Sequence, residues 1–145
     1  MSSPKVIDQL NIVLVETYAL YLKTQNCHWN ITGENFYSLH SLFEEQYKEL
    51  AEAIDEIAER IRALGSKVEA NFAYFDQNKS ITDTNLSSSS EIILKDLIQG
   101  HGIVINKLQE LSNISAGEND KVSEDLAVQR MQSHEKQKWM LSSSL

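Results

Sequence analysis

A long helical pattern between Glu34 and Arg62 constrains the fold of this 145-residue chain more than any other feature. Apolar residues recur in it at intervals of three and four, which is one stripe of an amphipathic helix. One proline and five glycines, with abundant Leu, Ile, Ala, Glu and Lys, favour helices over strands in the rest of the chain. We therefore expect an all-α fold. The stripe is formed by Leu39, Leu42, Phe43, Tyr47, Leu50, Ile54, Ile57, Ala58 and Ile61.

Four residues with metal-binding side chains lie beside this stripe: His40, Glu44, Asp55 and Glu59. At ~100° per residue they fall within an arc of roughly 100°, so they share one face of the helix. His40 and Asp55 are nevertheless fifteen residues apart. At ~1.5 Å rise per residue this separates them by about 22 Å along the axis. One helix therefore cannot bring all four side chains to one ion.

Two arrangements are compatible with this separation. Either the two pairs are unrelated polar patches, or a second copy of the helix runs antiparallel across a two-fold axis and completes the site. In a two-fold interface residue i meets j while j meets i, so the His40 end of one chain would face the Asp55 end of the other. His28 precedes a break at Gly33 and is placed to reach the His40 end from an earlier antiparallel helix. Two shared sites per dimer would result.

A di-iron site inside one helix bundle is not expected. Its template is Glu-x-x-His, and none of the four histidines has a glutamate three residues earlier. A lone histidine on a helix is more often a hydrogen-bonded packing residue than a metal ligand, and we expect this of His101 and His134.

Four long helices are predicted. The first begins at the N-cap Ser3 with Pro4 in its first turn and ends near residue 30. The second covers about 35–64 and stops at Gly65. A crossover of about twenty residues with a short helix at 71–76 follows, as expected where neighbouring helices run parallel. A capping box of Ser88 and Glu91 opens a third helix to about 111. A polar turn at 112–119 then leads to a fourth helix at 120–142.

Several segments of the chain carry a resemblance to a known family. They are Asn26 to Gly33, Phe36, Leu39-His40, Phe43 to Tyr47, and Ala53 to Gly65, with weaker similarity at His134 to Leu141. Together they resemble the central signature of the Dps family, the miniature ferritins of bacteria. The resemblance implies one ferritin-like domain over residues 1–145, a four-helix subunit and a hollow homododecamer.

The resemblance also implies an enzyme, a ferroxidase that oxidises Fe(II) at two-fold interfaces. Hydrogen peroxide would be the oxidant, and ferric oxide would be stored in the shell, which protects against oxidative damage. Two imidazoles with carboxylates suit iron. One subunit would supply His28, His40 and Glu44, and its neighbour Asp55 and Glu59.

Three neighbouring positions add detail to this expectation. The family often has Asp where this chain has Glu44, and usually an aromatic residue where it has Cys27. Neither change removes a ligand. Trp29 is by default a core or interface aromatic, whereas the resemblance implies a second role as electron donor to the ferroxidase centre. Cys27 is expected to be a small buried hydrophobe.

The charge balance favours cations over nucleic acid. A net charge of −8 per chain attracts cations and repels phosphate backbones. We therefore expect iron entry and no DNA binding. The resemblance implies a three-fold entry pore lined by Asp120 and Asp125, and less strongly by Glu118 and Glu124. A capped helix start explains the same acidic residues.

No stretch approaches the ~18 apolar residues of a membrane span, and the first five residues do not resemble a secretory signal. We expect a cytoplasmic protein. The single Cys excludes an internal disulfide. Two alternatives remain open: a DNA-compacting Dps protein, and a helical assembly whose metal site is inactive or holds another metal.

Overall fold

The computed structural model describes residues 3–145; Met1 and Ser2 lie outside it, and with them the start of the N-terminal segment predicted not to be a secretory signal. Within this range the chain forms five helices and no strand. They are α1 (Pro4–Asn30), α2 (Phe36–Ala63), α3 (Phe72–Asn78), α4 (Ser90–Gly117) and α5 (Lys121–Ser142). The predicted all-α four-helix bundle with a short helix in its long crossover is confirmed. Among the described residues, no helix has both the length and the apolar character required to cross a membrane.

The ends of the first two helices follow the predicted local signals. The Ser3 hydroxyl accepts a hydrogen bond from the backbone N–H of Lys5, and Pro4 occupies the first turn of α1. Gly33 has a φ of 111° in the turn between α1 and α2, and Gly65 has a φ of 96° just after α2. Residues other than glycine rarely adopt such φ angles. These two turns therefore fix where α2 begins and ends.

Two boundaries of α4 differ from the prediction. The N-cap is Ser89, whose hydroxyl accepts from the N–H of Ile92, rather than Ser88. The predicted polar turn at 112–119 was wrong over most of its length, because α4 stays helical through Gly117. Ser115 is fully buried there, so burial of this last part of the helix outweighs its polar sequence. The reversal is confined to residues 118–120, where Asn119 has a φ of 57°.

The bundle is built from two helix pairs. The helix α1 packs along α2, α4 packs along α5, and α1 also packs along α4. Close approach between α1 and α4 depends on Gly100, since a Cβ there would lie 2.8 Å from Cδ1 of the buried Leu20. Gly100 therefore serves packing, and α4 is continuous through it.

Buried charges tie the crossover to α1. The carboxylate of Glu16, which is 1 % exposed, accepts hydrogen bonds from the backbone N–H and the hydroxyl of Ser80. Lys23 donates to the carbonyl of Thr82 at 2.6 Å and forms an ion pair with Asp96 at 3.0 Å. These contacts satisfy polar groups that burial would otherwise penalise. They hold the crossover against the first helix.

His101 and His134 are buried and hydrogen-bonded, as predicted. Arg130 Nη2 donates to His134 Nε2 at 3.0 Å, so the proton of His134 sits on Nδ1. That proton is donated to His101 Nδ1, also at 3.0 Å, which leaves the His101 proton on Nε2. Burial lowers the pKa of both histidines, with the charge of Arg130 adding to it, and that of His101 falls to about 3. Both imidazoles are therefore neutral at pH 7. Arg130 is in turn held by Glu49.

Candidate metal centre

Three predicted ligands meet where α1 ends and α2 begins. His28 lies in the last turn of α1, while His40 and Glu44 lie one turn apart near the start of α2. Residues four apart on a helix face the same side. As a result, the ligand atoms of the three residues lie within 4.8 Å of one another.

The two histidines hold each other through the backbone. His28 Nδ1 donates to the carbonyl oxygen of His40 at 2.7 Å, and His40 Nδ1 donates to the carbonyl oxygen of His28 at 2.7 Å. A carbonyl oxygen only accepts, so each Nδ1 carries the proton and each Nε2 keeps its lone pair. The His28 carbonyl belongs to the last turn of α1, where the helix itself offers no donor. Two ligand atoms are thus presented in the metal-binding tautomer.

Aromatic rings support both histidines. The two imidazoles stack with their centroids 3.8 Å apart. Phe36 stacks on the outer face of His40 at 5.0 Å, and Tyr47 meets His28 edge-on at 5.2 Å. Sequence reasoning did not identify Phe36 and Tyr47 as neighbours of the site. The available signal was their spacing, four residues before and seven after His40, which places them on one face of α2.

Glu44 places an ionised carboxylate oxygen beside the two histidines, on the side that faces solvent. Its Oε1 lies 3.7 Å from His28 Nε2, and its Oε2 forms an ion pair with Lys48 at 3.1 Å. The hydrogen bond and charge of Lys48 lower the pKa of Glu44. The side chain of Glu44 is 44 % exposed, so an arriving cation can reach it from solvent.

Asp55 and Glu59 lie one turn apart further along α2 and are exposed. The hydrogen bond and charge of Asp55 raise the pKa of Glu59. Carboxylate oxygens one helical turn apart are suitable ligands for a cation. They are not part of the cluster formed by His28, His40 and Glu44. The structure of one chain therefore brings three of the five predicted ligands together and leaves the other two as a separate pair.

The residues beside His28 have different environments. Cys27 is fully buried, as expected, and its thiol lies 3.6 Å from the hydroxyl of Thr84. Burial raises the pKa of this thiol, which disfavours its reactive thiolate form. Trp29 is 61 % exposed and lines a groove beside the crossover. Its role as electron donor remains a prediction.

The four predicted pore residues surround the turn between α4 and α5. Asp120 caps α5 by accepting from the N–H of Ser123 at 3.0 Å, and it pairs with Arg60 at 2.9 Å. Burial opposes ionisation of Asp120, but the bonds from Ser123 and the charge of Arg60 outweigh it and lower its pKa. The capping alternative thus accounts for Asp120.

The other three acidic residues are less constrained. Glu118 approaches Lys5 at 3.9 Å, and Asp125 accepts from Gln129 at 2.8 Å. Glu124 lies in the first turn of α5, where a negative charge complements the helix dipole. Asp125 is exposed and is paired with no cation among the described residues.

Comparison with known proteins agrees with this architecture. The family model described as a ferritin-like domain matches residues 7–145. The "DNA protection during starvation protein 2" of Bacillus anthracis is 32 % identical over 141 residues, which are 97 % of this chain and 97 % of that protein. Dps from Staphylococcus aureus superposes with a TM-score of 0.93 at 31 % identity, covering 100 % of this chain and 98 % of the other.

A third relative is Dps from Vibrio cholerae, described as a member of a broad superfamily of ferritin-like diiron-carboxylate proteins. It superposes with a TM-score of 0.91 at 29 % identity, covering 96 % of this chain and 87 % of the other. These similarities extend over nearly the whole chain and include the helices that carry the histidine cluster. The chain therefore belongs to the Dps family of ferritin-like proteins.

Proposed function

We propose that this protein oxidises ferrous iron at sites shared between two subunits and stores the ferric product inside a hollow, dodecameric shell. The observation that carries the proposal is the histidine pair, whose crossed backbone bonds keep both Nε2 atoms free to bind metal. In the proposed site His28, His40 and Glu44 of one subunit act with Asp55 of the partner subunit and Glu59 of the partner subunit. Family membership supports iron chemistry at a general level.

The ligand set suits the reaction. Ferrous iron is the substrate, and it accepts imidazole and carboxylate ligands. Carboxylates stabilise the higher charge of the ferric product. We propose hydrogen peroxide as the oxidant: it accepts two electrons, one from each of two ferrous ions, and with two protons it leaves as two water molecules. Hydrolysis of the ferric ions then releases protons and forms oxide.

Acidic residues of α2 are candidates for the surface on which oxide begins to form. Glu45, Glu52 and Glu56 are exposed and available for this role. Glu49 lies on the same helix and would be a further candidate, but its carboxylate is held by Arg130 and by Gln137 at 2.7 Å. We therefore assign Glu49 to the bundle rather than to the mineral surface.

Subunit mixing tests the shared site. One variant, His28→Asn/His40→Asn, keeps a donor near each Nδ1 position and removes both Nε2 ligands. The other variant, Asp55→Ala/Glu59→Ala, removes the carboxylate pair. Each variant assembled alone should be inactive. Random pairing restores about a quarter of the sites, because each mixed dimer regains one intact site of two.

The readout is the rate of iron-dependent absorbance growth after addition of ferrous iron, with peroxide and with air in parallel. The parent protein refolded by the same procedure sets the full scale. Mixed assemblies that are no more active than either variant alone would show that the five ligands do not act across an interface. A parent that binds ferrous iron without oxidising it would support the alternative of an inactive assembly.

We propose that DNA is protected without being bound. Each chain has a net charge of −8, so it has no excess of positively charged side chains to neutralise phosphates. Protection would then come from removal of iron and peroxide. Gel retardation at low salt, with divalent metal excluded, distinguishes protection without DNA binding from protection by binding. A stable shift at neutral pH would favour the DNA-compacting alternative.

We also propose that Asp125 contributes to an entry path for iron at the start of α5. Asp125→Asn removes an exposed charge without touching the N-cap, whereas Asp120→Asn keeps a good N-cap residue and removes the ion pair with Arg60. Asp125→Asn should slow initial iron oxidation at low salt, and the difference should shrink as salt screens the charge. An unchanged initial rate at low salt would remove Asp125 from the path.

A further inference from the structure

A lysine lies beside the histidine cluster and is bonded to the one carboxylate that belongs to it. Lys48 follows Glu44 by four residues on α2 and donates to its Oε2 at 3.1 Å. The other oxygen of that carboxylate, Oε1, lies 3.7 Å from His28 Nε2. Glu44 therefore presents one oxygen to the metal-binding atoms and gives the other to an ammonium group.

This contact has an ordinary form but an unusual place. Among residues 3–145, no other lysine and no arginine forms an ion pair with Glu44. Lys95 makes the same kind of pair with Glu91 on α4, at 2.9 Å, and that carboxylate is not part of the histidine cluster. The two pairs thus differ in one respect, since the Lys48 charge lies next to three predicted metal ligands.

Lys48 has two opposite effects on a cation that binds in the cluster. Its hydrogen bond and its charge lower the pKa of Glu44 from the ordinary value of 4.5, which favours the ionised form that binds metal. At pH 7 a carboxyl group with that ordinary pKa is already ionised, so this effect adds little. The positive charge of Lys48 repels the bound cation. Repulsion is therefore the larger effect near neutral pH.

The strength of this repulsion depends on the charge of the iron. Coulomb energy is proportional to charge, so a ferric ion is repelled about one and a half times as strongly as a ferrous ion. The carboxylate ligands act in the opposite direction, because they stabilise the higher charge. A site built from such ligands alone would hold its product more tightly than its substrate. A cation beside the ligands reduces that difference.

We propose that Lys48 promotes release of the ferric product from the histidine cluster by repelling it more strongly than the ferrous substrate. The inference rests on the proposed iron oxidation. Because Lys48 holds Oε2, Glu44 binds iron through Oε1 alone. Ferric iron then moves to the oxide surface and leaves the ligands free for the next ferrous ion. Lys48 thus acts on turnover of the site rather than on the oxidation itself.

The expected size of the effect follows from Coulomb's law. Lys48 is 65 % exposed, so a dielectric constant close to that of water is appropriate. For an ion roughly 6 Å from the ammonium group, removal of the lysine should strengthen binding of a divalent cation about tenfold at low salt and about threefold at ~0.1 M salt. The same reasoning gives roughly thirtyfold and fivefold for a trivalent cation.

Zn²⁺ tests the repulsion without any oxidation. Lys48→Met removes the charge, keeps the length of the side chain and preserves a good helix former. Calorimetric titration of the assembled protein should give a Zn²⁺ dissociation constant about tenfold lower in Lys48→Met than in the parent at low salt, and the difference should shrink as salt rises. The variant His28→Asn/His40→Asn, titrated in the same way, identifies the binding that depends on the cluster.

Two successive additions of ferrous iron with peroxide test the release. Lys48→Met should oxidise the first addition at least as fast as the parent. It should oxidise the second addition more slowly, because ferric iron still occupies its sites. The delay between additions that restores the initial rate should lengthen by roughly five- to thirtyfold where dissociation of ferric iron limits recovery.

Two further variants are controls. Lys48→Arg retains the positive charge and should behave as the parent in both measurements. Lys95→Met removes the matching lysine on α4 and should also behave as the parent. If the effect came only from the net charge of the subunit, Lys95→Met would change Zn²⁺ affinity as much as Lys48→Met, and that result would contradict the inference.

The outcomes separate this inference from the function on which it rests. If Zn²⁺ binds Lys48→Met no more tightly than the parent, the repulsion is wrong and the ferroxidase proposal stands. Tighter Zn²⁺ binding with unchanged recovery before the second addition would also overturn the role in release. If the parent binds Zn²⁺ but oxidises no iron, the proposed function fails and the release role fails with it.

Discussion

Acid should destabilise this protein through its buried histidine pair, and His101 offers the sharpest test. In the folded chain burial lowers the pKa of His101 to about 3, with the charges of Arg130 and Lys138 contributing. In the unfolded chain the group titrates near its ordinary value of 6.5. Below that value the unfolded state binds a proton that the folded state does not. The free energy of unfolding therefore falls as the pH falls from about 6.5 toward 3.

The size of the effect follows from this difference. Between pH 7.5 and 5.5 the unfolded histidine takes up most of one proton, which costs the folded state about 1.4 kcal/mol. The contribution of His134 to the pH dependence of stability has the same sign, because burial also lowers its pKa. Glu49 faces the same network through its ion pair with Arg130.

His101→Asn isolates one of the two groups. The asparagine oxygen can still accept the proton that His134 donates from Nδ1, but the side chain no longer titrates. Urea unfolding of parent and variant, at one protein concentration and several pH values, should show that the variant loses about 1.4 kcal/mol less between pH 7.5 and 5.5. Equal losses in both proteins would refute the neutral, buried state of His101.

Two further predictions concern packing and buried charge. Gly100→Ala should destabilise the bundle by about 1–3 kcal/mol, since its Cβ would lie 2.8 Å from the buried Leu20, whereas Gly102→Ala, with 3.9 Å to its nearest neighbour, should stabilise α4 by up to about 1 kcal/mol. Thermal melting of both variants checks the contrast, and melting in the opposite order would contradict it. Lys23→Met should cost about 3 kcal/mol by leaving Asp96 without its cation, and Lys23→Met/Asp96→Leu should recover much of that loss. Equal losses in the single and double variants would exclude the ion pair as the cause.

The sequence predicted the parts of the fold that depend on local pattern. The apolar stripe of α2, the Ser3 cap and the glycine after α2 each act within one or two helical turns, and all three were correct. The end of α4 was wrong because a polar run looks like a turn until its burial is known. Ser115 shows this: its side chain is fully buried in a helix that continues through Gly117.

The candidate site was likewise predicted only in part from the sequence. Helical spacing placed His40 and Glu44 together and showed that Asp55 lies too far along the axis. The sequence could not show that the environment of Glu49 differs from that of the exposed acidic residues. That environment depends on Arg130, which is eighty-one residues away. The contact of Tyr47 with His28 was also beyond it, since contacts between α1 and α2 depend on how the two helices rotate against each other.

The crossed bonds between His28 and His40 mean that the ligands of the proposed site also hold the protein together. Each imidazole ties the end of α1 to α2 through its Nδ1, and this tie does not involve metal. Binding therefore orders little that is not ordered already, which saves the conformational entropy that a flexible site would lose. Loss of iron likewise leaves the tie in place. The turn that presents the ligands can thus keep one conformation whether or not a cation is bound.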